Sequence, residues 1–245
     1  MFDDMEGVET YIDDILVFGR SQAEHDERLK QVLERCRAQN FRLNRKKCKF
    51  SQSSVEFLGH VISGEGLKAK NDKVEAIRNM VTPQSKQDVQ RFLGMVTYLS
   101  KFCPNLAEHT APLRDVCRAK AEFMWERPQI DAFETIKQLI SRTPTLRLFD
   151  PSLPITLTVD ASSQSLGAVL IQQNDPVEYA AKSLTDTQKR YAQIEKELLA
   201  VLFGCHRFHS YVYGRRIVIE TDHKPLLGLV AKPIAEATPR LQRMM

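Results

Sequence analysis

The sequence predicts an α/β chain of the α+β kind, with hairpins first, a helical middle, and then a mixed sheet with helices. Three observations carry this reading. Residues 155–160 alternate Ile155, Leu157 and Val159 against Thr156 and Thr158, the period of two expected of a strand with one buried face. Val89, Phe92, Leu93, Val96 and Leu99 recur at spacings of three and four, the period of an amphipathic helix. Near the start, two apolar arms flank Asp13 and Asp14, the pattern of a hairpin with carboxylates at its tip. Changes of pattern place the divisions at residues 1–66, 67–145 and 146–245.

With 245 residues, 42% hydrophobic and 27% charged, the chain fits one large globular domain or two to three small ones, and disordered and fibrous classes are excluded. The net charge of +4 identifies no partner. Locally the balance is stronger: Arg35, Arg37, Arg42, Arg45, Lys46, Lys47 and Lys49 fall in one run without an acid. Such a run is either a solvated helix face or a site for a phosphate backbone. The five cysteines are odd in number and irregular in spacing, which indicates neither a disulfide framework nor a zinc site and fits a reducing compartment. No basic-then-apolar leader and no run of about 20 apolar residues supports secretion or membrane spanning.

Two adjacent acids at a hairpin tip repel each other and are most comfortable under a hard cation, although a plain turn would also take Asp13 and Asp14. Tyr11-Ile12-Asp13-Asp14 resembles the Tyr-x-Asp-Asp box of reverse transcriptases, and its continuation Ile15-Leu16-Val17-Phe18 resembles the gypsy class of LTR retrotransposons. The order of further landmarks matches that family over nearly the whole chain. Ser21 and Glu24 form a capping box for a helix carrying Leu29, Val32, Leu33 and Cys36. Phe57-Leu58-Gly59-His60 lies in a strand pair ending in the turn Ser63-Gly64-Glu65-Gly66. The resemblance implies that Gly59 and His60 help hold a primer end, beside nucleic-acid contacts from Arg42, Arg45, Lys46, Lys47 and Lys49.

Residues 67–145 read as mostly helical, capped at Ser85 and Asp88 and punctuated by Pro104, Pro112, Pro128 and Pro144. Their aromatic residues suit core packing, and the segment resembles the thumb and connection of gypsy-type enzymes. After Pro144, strands are expected at 155–160, 167–173 and 177–181, the last two joined through Asn174-Asp175-Pro176. Thr185 and Gln188 cap one long helix with a stripe at Tyr191, Ile194, Leu198, Val201, Leu202, Cys205 and Phe208. Ile217-Val218-Ile219 then forms a fourth strand, and Pro225 starts a short helix. This is the opening of an RNase H-like fold.

Within it, Asp160, a helix glutamate and Asp222 come from separate elements, as a metal pair demands of its ligands. Hard carboxylates suit Mg²⁺. At about 100° per residue, Glu195 and Glu197 flank opposite edges of the apolar stripe while Lys196 faces solvent, so either glutamate can approach the sheet. The resemblance chooses between them: Glu197-Leu198-Leu199-Ala200 matches the family's Glu-Leu-x-Ala pattern, leaving Glu195 a surface or supporting group. Thr221-Asp222-His223-Lys224-Pro225-Leu226 resembles the family's Thr-Asp-His-x-x-Leu box, and Tyr211-Val212-Tyr213-Gly214 adds to the match. His223 is either a proton shuttle or an organiser of the following turn.

The resemblance therefore implies two Mg²⁺ ions, with Mn²⁺ as a substitute, bound by Asp160, Glu197 and Asp222, with Asp13 and Asp14 as a second, polymerase metal site. The implied activity is hydrolysis of RNA in RNA:DNA hybrids, giving 3′-hydroxyl and 5′-phosphate ends, within a parent RNA-directed DNA polymerase acting on primer-template. The family places further palm residues before Tyr11 and a fourth acid after Arg243, so an incomplete polymerase and a weakened RNase H site are expected of this stretch, alongside the remaining Pol segments as partners. The alternative is an inactive nucleic-acid-binding remnant. The expected setting is intracellular, in cytoplasm, retroelement particles or nucleus, away from membranes.

Overall fold

The structure, a computed structural model, describes residues 1–119, 121–230 and 233–245. It comprises two compact units, Met1–Gly64 and Glu65–Met245.

In the first unit, β1 (Val8–Tyr11) and β2 (Asp14–Val17) pair antiparallel, from Val8 opposite Val17 to Tyr11 opposite Asp14. Ile12 and Asp13 form the tip, with Ile12 in the left-handed region at φ 51°. One face of the hairpin packs against α1 (Gln22–Ala38) through Val8, Val32, Cys36 and Phe2. Ser21 caps α1 by accepting from the Glu24 N–H at 3.2 Å, but the expected capping box is only half formed. The Glu24 carboxylate accepts from the Arg20 N–H at 2.7 Å and pairs with Arg28, which draws it away from the Ser21 N–H. A second hairpin joins β3 (Ser54–Phe57) to β4 (His60–Ser63). Its two-residue loop, Leu58 at φ 50° and Gly59 at φ 74°, has the double positive φ whose twist matches that of the paired strands.

The second unit begins with β5 (Gly66–Ala69), where Leu67 and Leu146 exchange two backbone hydrogen bonds. Helices α2 (Asn71–Arg78), α3 (Lys86–Tyr98), α4 (Leu106–Val116) and α5 (Arg127–Ser141) follow, with a 3₁₀ turn at Ser100–Phe102. Val89, Phe92, Val96, Leu99, Phe102, Leu113, Phe133, Ile136 and Ile140 form their common core, so the repeat at three and four is the buried face. Ser85 caps α3 as its position suggests. Pro112 does not punctuate: it lies inside α4, where burial of Leu106, Thr110, Leu113 and Val116 holds the helix together despite the lost N–H.

The sheet has the order β8-β7-β6-β9. Strands β6 (Ile155–Ala161), β7 (Ser165–Gln172) and β8 (Asp175–Ser183) are antiparallel, and β9 (Ile217–Glu220) runs parallel to β6. The β7–β8 turn falls at Gln173 and Asn174, both with positive φ, earlier than the expected Asn174-Asp175-Pro176. Pro176 instead sits in β8 beside an irregularity, tolerated because β8 is an edge strand.

The expected single long helix is two. Thr185 and Gln188 cap only α6 (Asp186–Lys189), and α7 (Gln193–Arg207) starts afresh. Helices α8 (His209–Val212), α9 (Lys224–Val230) and α10 (Pro239–Met244) follow, with a 3₁₀ turn at Ile234–Glu236. Helix α7 lies close on β6 and β7: a Cβ at Gly204 would meet both Leu157 Cδ atoms at 3.2 Å and the Ala168 Cβ at 3.3 Å. Glycine there lets the helix approach the sheet. Among the described residues, no helix is long and apolar enough to cross a membrane.

Candidate metal centre

Asp160 stands one residue before the end of β6. Its neighbours Val159 and Ala161 point into the core, so the period of two turns the Asp160 side chain outward. Glu197 lies on the second turn of α7 and is only 2% exposed. Asp222 sits two residues beyond β9, exposed, in the turn that opens α9. That turn is fixed by the Thr221 hydroxyl, which accepts from the His223 N–H at 3.1 Å, and by the Asp222 carbonyl, which accepts from the Lys224 N–H at 3.1 Å.

One carboxylate oxygen from each of Asp160, Glu197 and Asp222 lies within 4.8 Å of the other two, and among the described residues these form the one such group of three or more. In an octahedral Mg²⁺ shell, neighbouring oxygens are about 3 Å apart and opposite ones about 4 Å. Three donors held within 4.8 Å of one another are on the scale of such a shell and of a pair of ions about 4 Å apart. An all-carboxylate donor set belongs to hard cations rather than to soft thiolate metals.

Burial pushes the Glu197 carboxyl above its ordinary range. The Gln193 hydrogen bond opposes that rise, the charges of Asp160 and Asp222 add to it, and His223 opposes it again. Gln193 Nε2 donates to Glu197 Oε1 at 2.7 Å and to the Ala161 carbonyl at 2.7 Å. The other oxygen, Glu197 Oε2, is buried with no hydrogen-bond partner. An acceptor left unpaired inside a protein costs about 1–3 kcal/mol. A cation between the three carboxylates would satisfy that oxygen and reverse the repulsion at once.

The neighbouring glutamate is occupied elsewhere. Glu195 accepts from the Ala192 N–H at 3.0 Å, closing the N-terminus of α7, and from Arg240 at 2.8 Å, tying α7 to α10. Lys196 does not face solvent as expected: it is 7% exposed. It shares a row, at intervals of four, with Ala200 and Gly204, the small residues that bring α7 down onto the sheet.

Residues 125–219 match the family model of an RNase H-like domain found in reverse transcriptase, and residues 4–62 match that of reverse transcriptase (RNA-dependent DNA polymerase). The chain is 36% identical over 220 residues to the retrovirus-related Pol polyprotein from transposon 297 of Drosophila melanogaster, a match covering 89% of the chain and 21% of that protein. It is 33% identical over 240 residues to the transposon Tf2-3 polyprotein of Schizosaccharomyces pombe, covering 95% of the chain and 18% of that protein. The chain carries a reverse transcriptase match followed by an RNase H-like match and fits a fragment of a retrotransposon Pol polyprotein. It spans about a fifth of the length of these curated relatives. Among solved structures, a foamy viral protease-reverse transcriptase dRH in complex with ds DNA aligns with a TM-score of 0.86 at 20% identity, over 99% of the chain and 44% of its own. The foamy viral protease-reverse transcriptase in complex with RNA/DNA hybrid aligns with a TM-score of 0.84 at 21% identity, over 99% of the chain and 34% of its own. These likenesses carry the reverse transcriptase/RNase H fold.

Asp160 and Glu197 lie inside the RNase H-like match, and Asp222 lies just beyond its end. In the reverse transcriptase match, Asp13 and Asp14 are exposed at the β1–β2 tip, and no third described His, Cys, Asp or Glu converges with them. Arg35 and Arg37 occupy the last turn of α1, where Arg35 is bound to Asp4 at 2.9 Å. Arg42, Arg45, Lys46, Lys47 and Lys49 are exposed on the segment between α1 and β3, off any helix face. Gly59 lies in the β3–β4 loop and His60, half-buried, starts β4 opposite Phe57. Sequence reasoning missed Gln193 and named Thr221 only as part of its motif, without its hold on the turn. Gln193 stands one helical turn before Glu197, the spacing at which two side chains on a helix meet.

Proposed function

We propose that this Pol segment, of the gypsy type, hydrolyses the RNA strand of RNA:DNA hybrids with Mg²⁺ held by Asp160, Glu197 and Asp222, and with Mn²⁺ as a substitute. The observation that carries the reading is the convergence of three carboxylates from β6, α7 and the turn after β9, one of them buried with an unpaired oxygen. The chemistry that such cations supply when bound is activation of a water nucleophile and neutralisation of charge on the departing oxygen. The chain's own residues set the stage for it. Asp160 and Asp222 supply exposed oxygens toward the substrate side, and Glu197 closes the site from the helix side, where burial excludes competing water. His223, beside Asp222 in the chain, is the imidazole available to carry a proton.

Nucleic acid would be gripped by sequence-independent charge. Arg42, Arg45, Lys46, Lys47 and Lys49 are exposed and free of acids in their own run, which suits a phosphate backbone, with Gly59 and His60 near a primer end. Asp13 and Asp14 are assigned to the metal site of the parent RNA-directed DNA polymerase. The test is cleavage of labelled RNA:DNA hybrid in Mg²⁺ by wild type and Asp160→Asn. Wild type cuts, and the variant loses more than about a hundredfold, beyond what loss of an outer-sphere partner costs. Equal cutting by both would remove Asp160 from the mechanism; no cutting by wild type would leave a nucleic-acid-binding remnant.

A further inference from the structure

Gln193 has two amide hydrogens and two acceptors within 2.7 Å: Glu197 Oε1 and the carbonyl of Ala161. The Ala161 carbonyl can only accept, so the amide nitrogen is fixed toward it and the flip of the side chain is decided. Ala161 directly follows Asp160 on β6. One amide therefore joins the helix carboxylate to the strand backbone next to the second carboxylate. It does so where a glutamate would otherwise be poorly held, since Glu197 is buried, faces two like charges, and has no partner on Oε2.

We propose that Gln193 is a positioning residue for the metal centre: it locks the Glu197 carboxylate by one oxygen and the end of β6 by the other bond, leaving the second carboxylate oxygen for the cation. This rests on the reading of Asp160, Glu197 and Asp222 as cation ligands. The physical effect is preorganisation. Glutamate has three side-chain torsions to fix, and a charge-assisted hydrogen bond fixes them before the ion arrives. Without the amide, the carboxylate would be free to turn away from Asp160 and Asp222, and binding would bear that ordering.

Calorimetric titration of the whole chain with Mn²⁺ tests this, in wild type, Gln193→Met, Glu197→Gln and the double variant. Methionine keeps the length of glutamine and removes the donor. The expected result is an affinity about tenfold weaker for Gln193→Met, the size of effect seen when a ligand's supporting hydrogen bond is lost. In the Glu197→Gln background the same change shifts affinity by less than about twofold, because the residue it acts through is gone. Gln193→Asn, whose amide stops one methylene short of both acceptors, is held to the same expectation and decides the matter should Gln193→Met fail to melt cooperatively. Wild-type affinity in the Gln193 variants would overturn the proposal, as would a loss that persists in full in the Glu197→Gln background, which is the mark of a general structural role. Failure of the underlying reading looks different: wild type takes up no Mn²⁺, or Asp160→Asn takes it up equally well, and the proposal falls with it.

Discussion

The molecule holds two sets of carboxylates that were built in opposite ways. Asp13 and Asp14 are neighbours in sequence, brought to a hairpin tip by four residues of pairing on each side, and both are exposed. Asp160, Glu197 and Asp222 are spread over three elements and meet only because α7 lies close on β6 and β9 runs parallel to it. The first set costs the fold almost nothing, since water solvates both charges. The second leaves a carboxylate 2% exposed with an unpaired oxygen, a local penalty that a fold retains where a ligand relieves it. Proximity in sequence thus makes a motif easy to read, whereas burial and convergence make a site able to hold an ion.

The largest effect that can break this comparison is loss of hybrid cutting. Asp160→Asn should reduce it by more than about a hundredfold, whereas Asp13→Asn should leave it unchanged within about twofold, measured in one assay with one labelled hybrid. Equal sensitivity of both positions would mean that the hairpin tip and the sheet site act as one.

Next in size is a reversal of stability. The amide of Glu197→Gln can accept from Gln193 and donate toward Asp160 and Asp222, so in EDTA the variant should be more stable than wild type by about 1–2 kcal/mol. That is a rise of roughly 2–8 °C in melting temperature for a domain of this size. Mg²⁺ should invert the order, because wild type binds the ion more tightly and gains more from it. The metal-free difference should also depend on pH. Glu197 has a carboxyl raised in the fold from its ordinary 4.5, so above that value the folded state holds a proton that the unfolded chain has released. The stabilising contribution of protonated Glu197 is complete below that pH and is lost as pH rises through the raised folded value. The advantage of Glu197→Gln is therefore expected to be small near pH 4 and to grow toward neutrality, as thermal melts across that range would read.

A smaller effect separates the two glutamates of α7. Arg240→Ala removes the ion pair to Glu195 and the guanidinium 4.0 Å from the Tyr191 ring centre, and should cost about 0.5–1.5 kcal/mol without changing Mn²⁺ affinity. A change in affinity would draw Glu195 into the metal site. Smallest of all, Asp14→Asn at the exposed tip should move the melting temperature by less than about 0.5 kcal/mol equivalent.

Much of this was legible in the sequence. The alternation at residues 155–160 gave β6 with Asp160 near its end, because strand period is local, and the resemblance of the Thr-Asp-His box singled out Asp222. The choice of Glu197 over Glu195 was not local. Periodicity left both at the edge of the stripe, and the resemblance selected the one that the structure brings to Asp160 and Asp222. The break between α6 and α7 escaped because no glycine or proline marks residues 190–192; it is made by the Glu195 carboxylate closing a new N-terminus, with Arg240 from α10 holding that carboxylate. Lys196 was misjudged for a related reason. A window along the helix sees a charge, whereas the row Lys196, Ala200, Gly204 is the one pressed nearest the sheet. Gln193 carried a visible signal, its spacing of four before Glu197, but an acceptor for its second hydrogen exists only in the folded chain.

The most direct test is where a divalent ion binds. In crystals of the chain soaked in MnCl₂, anomalous scattering should show a peak bounded by Asp160, Glu197 and Asp222, with the Gln193 amide still on the far oxygen of Glu197. A Mn²⁺ peak at Asp13 and Asp14 with none among those three carboxylates would contradict the account.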